Sequence, residues 1–460
     1  MASGVNVVNI HSAKSRLAML SMAFGMTLAA KARANPVDTF GFGARSTALG
    51  GAVVADVEDF SANYYNPAGL VRRDDIRLES GYLFVAPFLR INGRDTGVDN
   101  VQATTAGLVV PARIGTQLFA IGLGLHLNDQ RVSRTRSLPA AQPRWEMYDN
   151  RPHRLSLAAN LAWAPFPWLR FGGGISFMAT SENQLSVEGE IPLVAPERGS
   201  SLRHTLDTKL INVRYPQVGV QVEPNDEWSF GLVYRGEFEL GLALDAQVNA
   251  DVTLGATRVP AAFLLSTQSV NTFLPQQVSF GASWRPMRGF RASAEITWAD
   301  WSAYKTSIGF TDVVLDLEVP PQFEGLVSNP GNISGSRPIP AGFRDRFVPR
   351  VGVEWRALTL SWLTLDVRGG YFYEHTPVPA QTALTNFIDT DRHAFSAGVG
   401  VALTDLRPTV DGTLFIDVTA QYSYLTPRDV EKASLLDPTG SYRATGSLVG
   451  ISMSAGVTFQ

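Results

Sequence analysis

Charged side chains recur at alternate positions inside otherwise apolar stretches: Arg154, Arg170, Arg235, Glu237, Arg285, Glu295, Arg350, Glu354, Asp366, Arg368 and Asp417. Guanidinium and carboxylate groups enclosed together can neutralise one another, or a guanidinium can meet an anionic ligand group such as a carboxylate. Pairing accounts for most of the set; Arg154 and Arg170 are carried forward as candidate ligand contacts. A second grouping is apolar. The long connection 246–275 holds Ala261-Ala262-Phe263-Leu264-Leu265 and Phe273-Leu274. An apolar cluster in a connection calls for a reason: either a ligand groove or packing of connection on connection. Other chemistry is missing. The sequence contains neither G-x-S-x-G nor H-E-x-x-H, and Gly41-Phe42-Gly43-Ala44-Arg45-Ser46 lacks the last glycine of a dinucleotide fingerprint. Cysteine is absent and the six histidines are scattered, so no disulfide, thiolate site or metal spacing is expected. Asp56, Glu58 and Asp59 read as a solvated acidic turn rather than a calcium site. No enzyme and no cofactor is expected.

The elements that carry these residues alternate with period two. Leu155, Leu157, Ala159, Leu161 and Trp163 share one face, and Phe290, Ala292, Ala294, Ile296 and Trp298 share another. Fourteen such segments are predicted: 76–88, 104–113, 117–127, 153–163, 168–180, 208–222, 228–245, 276–285, 290–301, 346–356, 362–374, 393–403, 413–425 and 446–459. Short turns such as Ala164-Pro165-Phe166-Pro167 and Pro286-Met287-Arg288-Gly289 alternate with long connections at 128–152, 181–207, 246–275, 302–345 and 375–392. Short turns on one side and long loops on the other mark a transmembrane β-barrel, and an even strand count suits one. Trp163, Trp168, Trp228, Trp284, Trp355 and Trp362 lie beside the short turns, with Trp298 and Trp301 at the opposite end, as two interfacial girdles require.

Composition agrees. Charged residues are 18% of the 460, yet mean hydropathy is near zero (+0.01). Outward apolar and inward polar residues cancel in this way in a barrel wall. Lys14 and Arg16, the uncharged run Leu17 to Ala30 and Ala32-Arg33-Ala34 read as a cleavable secretory signal over 1–34, with a mature chain from Asn35. Its removal takes away four cations and no acid, so the net charge goes from −3 to −3 − 4 = −7, which gives no reason to expect nucleic acid as a partner. A bacterial outer membrane is the expected location, with its lipids and the barrel-assembly machinery as partners in the wall's surroundings and in biogenesis.

Residues 35–75 do not alternate and form a separate unit ahead of the barrel at 76–460. They are long enough to fold into the lumen as a hatch, with Asn66-Pro67-Ala68-Gly69 suited to a tight anchoring turn in which Gly69 tolerates left-handed geometry. Here the chain resembles the FadL family of outer-membrane transporters for long-chain fatty acids and aromatic hydrocarbons. The resemblance rests on Gly43-Ala44-Arg45-Ser46-Thr47-Ala48-Leu49-Gly50-Gly51-Ala52 and Tyr64-Tyr65-Asn66-Pro67-Ala68-Gly69-Leu70, with weaker likeness at Trp298-Ala299-Asp300-Trp301-Ser302 and Asp389-Thr390-Asp391-Arg392-His393. It implies an all-β, fourteen-stranded antiparallel barrel closed by an N-terminal hatch. It implies capture of an apolar ligand among extracellular loops, binding in the lumen, and release by movement of the hatch N-terminus. It further implies a lateral exit at the third strand, where Gly122 and Gly124 could relax pairing; filling of a crowded lumen explains the same glycines. Uptake of long-chain fatty acids is the favoured function. Aromatic hydrocarbon uptake and a scaffold role in outer-membrane secretion or assembly are the alternatives.

Overall fold

The computed structural model describes residues 36–459 apart from 131–140, 150–154, 193–200, 255–256, 306–309, 318–330, 335–339, 405–411 and 434–436. Over 179–192, 201–213, 238–254, 257–272 and most of 310–317 and 331–334 it describes the backbone alone. The expected signal segment, Asn35 and Arg154 lie outside the described residues.

Fourteen strands form the wall: β1 Ile76–Ile91, β2 Val101–Ile114, β3 Gln117–Asn128, β4 Ser156–Phe166, β5 Leu169–Pro192, β6 Ser201–Val222, β7 Trp228–Arg235, β8 Gln277–Met287, β9 Phe290–Ala299, β10 Arg346–Thr359, β11 Leu363–Glu374, β12 Arg392–Leu403, β13 Gly412–Val430 and β14 Tyr442–Phe459. Each pairs antiparallel with the next, and β14 returns to pair with β1 from Ile76↔Phe459 to Ile91↔Ala444. Closure leaves the wall without an edge, so every backbone donor facing the bilayer has a ladder partner. The period-two pattern holds. Ile175 is 43% exposed on the outside while Ser176 is 2% exposed on the inside. Trp163, Trp168, Trp228, Trp284, Trp355 and Trp362 are exposed near the short turns, as a girdle should be.

Three expectations are corrected. The seventh segment stops at Arg235, not 245, because the Gly236 amide donates to the Pro216 carbonyl (2.8 Å) and the chain leaves the wall there. Residues 238–245 open an extracellular hairpin, Phe238–Leu254 with Thr257–Leu274, so the expected loop 246–275 is largely strand. The connection 181–207 is likewise mostly strand, since β5 and β6 continue beyond the wall as a long pair. Apolar–polar alternation continues from Arg235 through Phe238, Leu240, Leu242 and Leu244, and period alone cannot tell a wall strand from one that stands outside it. Trp301 is the third correction. A 3-10 turn, Trp301–Ala303, carries it inward, and it is buried against Phe273, Tyr304 and Phe343 rather than at the lipid surface.

Outside the wall the β5–β6 extension, the 238–274 hairpin and strands Phe310–Leu317 and Gly331–Ser334 join into one sheet, with Phe238–Leu254 running parallel to β5. Register places Leu185, Ala246, Leu265, Val313 and Ile333 in one cross-strand row, and Val187, Val248, Phe263 and Leu315 in the next row on the same face. Leu264 shares the other face with Gln247 and Val314.

Candidate functional site

The lumen is filled by the segment from Pro36 onward. It forms three short helices, α1 Pro36–Phe40, α2 Ala44–Ala48 and α3 Ala62–Tyr65, and a 3-10 turn, Pro67–Val71. Asn66 caps that turn. Its side-chain oxygen accepts from the Ala68 amide (3.1 Å), and its amide nitrogen donates to the carbonyls of Val54 (2.8 Å) and of Val220 in the wall (3.1 Å). Proline at the first position needs no such cap partner of its own. Gly69 is not left-handed, contrary to the expectation. It is required for space, since a Cβ there would collide with the Val57 carbonyl.

Polar side chains of the wall grip the rest of the segment. Glu295 accepts from the amides of Val53 (3.2 Å) and Val54 (3.1 Å). Gln217 and Asn160 reach the Asn63 carbonyl, at 2.6 and 3.1 Å. Arg235 donates to the carbonyls of Tyr64 (3.0 Å) and Tyr65 (3.3 Å) with its guanidinium 4.6 Å over the Tyr64 ring. Arg45 pairs with Glu354 at 3.0 Å, Glu354 pairs with Arg368, and Arg368 pairs with Asp417. Arg291 pairs with Asp56 at 3.1 Å. The charges legible as inward therefore fasten the plug as well as one another. Small residues of the wall complete the fit. A side chain at Gly107, Gly122, Gly172, Gly231 or Gly370 would strike Phe60, Asn63, Pro67, Val54 or Gly50 respectively.

Gly122 and Gly124 thus sit behind Asn63, Leu70 and Phe42. The third strand is paired with β2 along its whole length, from Ile114↔Gln117 to Ala103↔Asn128, and with β4 from Leu118 to His126. Arg170 is at the short-turn end, 2.7 Å from Glu223, which also holds Arg285 and Arg72. This separates it from Phe273 and Leu274 at the other end, and its charge is paired with a carboxylate there.

Phe273 and Leu274 are both buried. Phe273 belongs to an apolar cluster that sequence periodicity missed, because its members come from separate connections: Trp145, Tyr148, Trp301, Tyr304, Phe343 and Phe387 among them. A parallel pairing of Arg144–Trp145 with Phe387–Ile388 ties two of those connections together. Phe40 at the end of α1 is part of the same cluster. Below it lies a polar lining: Asp38 accepts from Gln277 (3.0 Å), Arg392 donates to the Thr39 carbonyl (3.0 Å), and Arg346 and Arg392 flank Glu374 (2.5 and 2.8 Å). The free space between α1 and this lining is only about 40 Å³, enough for a few waters and too little for a lipid-sized molecule.

Beside the cluster, Asp389 is buried and accepts from Thr376 (2.7 Å). Burial pushes its carboxyl up to about 6, against the nearby Arg346 and the Thr376 bond, which favour the charged form.

A closed fourteen-stranded barrel with residues 36–71 packed in the lumen, apolar above and polar below, defines an outer-membrane channel of the plugged type. The chain belongs to the outer membrane protein transport protein family (OMPP1/FadL/TodX), whose sequence profile matches residues 22–460. Its members are channels for hydrophobic compounds rather than enzymes, and their place is the outer membrane. The chain is 22% identical over 399 residues to alkane uptake protein A of Marinobacter nauticus, covering 81% of this chain and 80% of that one. It shares its fold with a Pseudomonas aeruginosa FadL homologue (TM-score 0.56, 14% identity, 91% of this chain and 98% of that one). It also shares it with the monoaromatic hydrocarbon channel CymD (TM-score 0.54, 14% identity, 93% and 99%).

Proposed function

We propose that this channel takes up long-chain apolar molecules, fatty acids above all, by capture outside the membrane, passage into the lumen and release when residues near Pro36 move. The observation that carries the reading is the apolar cluster containing Phe273 and Phe40, because it joins the extracellular connections directly to the movable end of the plug. Register places Phe263 and Leu265 in apolar cross-strand rows of the outer sheet, on the strand that ends with Phe273 and Leu274. Arg346 and Arg392 lie next to α1 as cations for a carboxylate, although Glu374 holds both in the closed state. Gly122 and Gly124 remain the place where a lateral exit would open, with Phe42 withdrawing from beside Gly124. An alkane is the second reading, supported by the likeness to alkane uptake protein A.

The test is uptake of a labelled long-chain fatty acid, and separately of a labelled alkane, into proteoliposomes of the purified protein. Saturable uptake of the acid that Phe273→Asp abolishes supports the proposal. Uptake of the alkane alone would transfer the function to the second reading, and uptake of neither would end both.

A further inference from the structure

His126 is 1% exposed on the inner face of β3, and neither ring nitrogen has a hydrogen-bond partner among the described residues. The amides around it are engaged: Asn63 with Leu123, Asn160 with Asn63, and Gln217 with both. A buried imidazole carries one donor and one acceptor, and leaving both unmet is costly.

Register fixes its surroundings. Thr105 and Ser156 flank His126 across the two neighbouring strands. The next inward row toward the short turns is Gly107, Gly124 and Ala158, a shallow hollow against which Phe60 and Phe42 of the plug lie. On the opposite side the inner wall passes to Ala103 and Val101, and Val101 belongs to the apolar cluster beneath the extracellular connections. His126 thus stands between the captured-ligand end and the space that Phe42 occupies. Phe42 follows α1 directly, so movement of the plug N-terminus would vacate that hollow first.

We propose that His126 is a specificity-determining residue that meets an oxygen-bearing head group, a hydroxyl or a carboxyl, of an apolar chain lodged in the Phe42 hollow. This rests on the uptake reading above and sharpens its substrate class. A hydroxyl or protonated carboxyl offers one donor and one acceptor, matching both ring nitrogens. A bare hydrocarbon matches neither and keeps the imidazole unpaired.

The experiment compares binding of dodecan-1-ol and dodecane, equal in chain length, to the purified full-length protein in detergent by competition against a fluorescent fatty acid. Wild type should prefer the alcohol by roughly fivefold to tenfold, the worth of one or two hydrogen bonds. His126→Leu should bring the two ligands level, and His126→Gln, which keeps a donor and an acceptor, should restore the preference. Heat-modifiable migration checks that each variant is folded. An unchanged alcohol-to-alkane ratio in folded His126→Leu overturns the proposal. So does a wild type that binds both ligands without preference, whatever the variants do. A wild type that binds neither ligand nor the fluorescent acid refutes the uptake reading itself.

Discussion

Residues 36–43 and residues 52–71 belong to one continuous segment in one lumen, yet they are held in different ways. The later stretch is bonded to the wall through its backbone: Val53 and Val54 to Glu295, Asn63 to Asn160 and Gln217, Ala55 to Ser229, Tyr64 and Tyr65 to Arg235. Wall glycines let its main chain approach without clearance. The earlier stretch borders the small cavity, and Gly41 and Gly43 there adopt φ of 92° and 82°, a region other residues resist. The later stretch is held at five or more backbone groups by wall side chains, whereas the earlier one is held by Arg392 at the Thr39 carbonyl and by Gln277 at the Asp38 side chain, beside two left-handed glycines. On the proposed release mechanism, the contrast assigns the motion to residues 36–43 and the anchoring to residues 52–71.

Removing residues 35–70 is the severest test of that division. The barrel should still insert, because its ladder is closed without them, and should conduct ions across a planar bilayer where the full chain does not. A truncated barrel as ion-tight as the full chain would mean that the segment is not the plug. Two wall substitutions separate plug from lipid. Ile175→Arg should cost about 2–4 kcal/mol of folding free energy in lipid, with or without the plug. Gly172→Val, facing Pro67, should cost about 1–3 kcal/mol through overpacking, and only when the plug is present. Equal penalties for Gly172→Val in both backgrounds would show that the wall glycines serve the strands themselves.

Asn66→Ala removes three hydrogen bonds and leaves the Ala68 amide without its cap, while the Val54 carbonyl keeps its bond from Gln221, so it should loosen residues 52–71 by about 1–3 kcal/mol, read by amide exchange. Asp38→Ala, in the yielding stretch, should alter exchange there by less than about 1 kcal/mol. Reversal of that order would break the comparison. The smallest effect is a pH dependence outside the membrane. The Asp389 carboxyl, raised to about 6 by burial, keeps its proton in the folded connections where the unfolded chain has lost it. Its contribution to stability is therefore full below about 4 and fades as pH rises through about 6. Proteolysis of the connection 375–391 should accelerate from pH 5 to pH 7 in wild type, and Asp389→Asn should flatten that rise.

Period two was enough to read the wall, because each strand alternates between lipid and lumen and the alternation survives in Leu157/Ala158 or Ile296/Thr297. It could not show where β7 ends, since Phe238, Leu240, Leu242 and Leu244 continue the same alternation outside the wall. The anchoring turn was legible in Asn66-Pro67 because capping is local. The apolar cluster was not, because Trp145, Tyr304, Phe343 and Phe387 meet only through folding of three distant connections. Arg170 looked equivalent to any inward arginine; only the structure shows Glu223 waiting at the end of the neighbouring strand β6. The reason for Gly122 was ambiguous in sequence for the same cause, as the side chains it makes room for come from the plug.

The length of β5 has a consequence of reach. Its 24 residues exceed what an apolar band needs. At about 3.3 Å per residue with the usual tilt, ten or so residues cross the hydrocarbon, and the remainder rises roughly 30–40 Å above it. A molecule that settles on the face shared by Val187, Val248 and Phe263 leaves water well before it meets the headgroups. On the proposed capture route, encounter would begin at a fin standing in the surrounding medium and not at the mouth of the barrel.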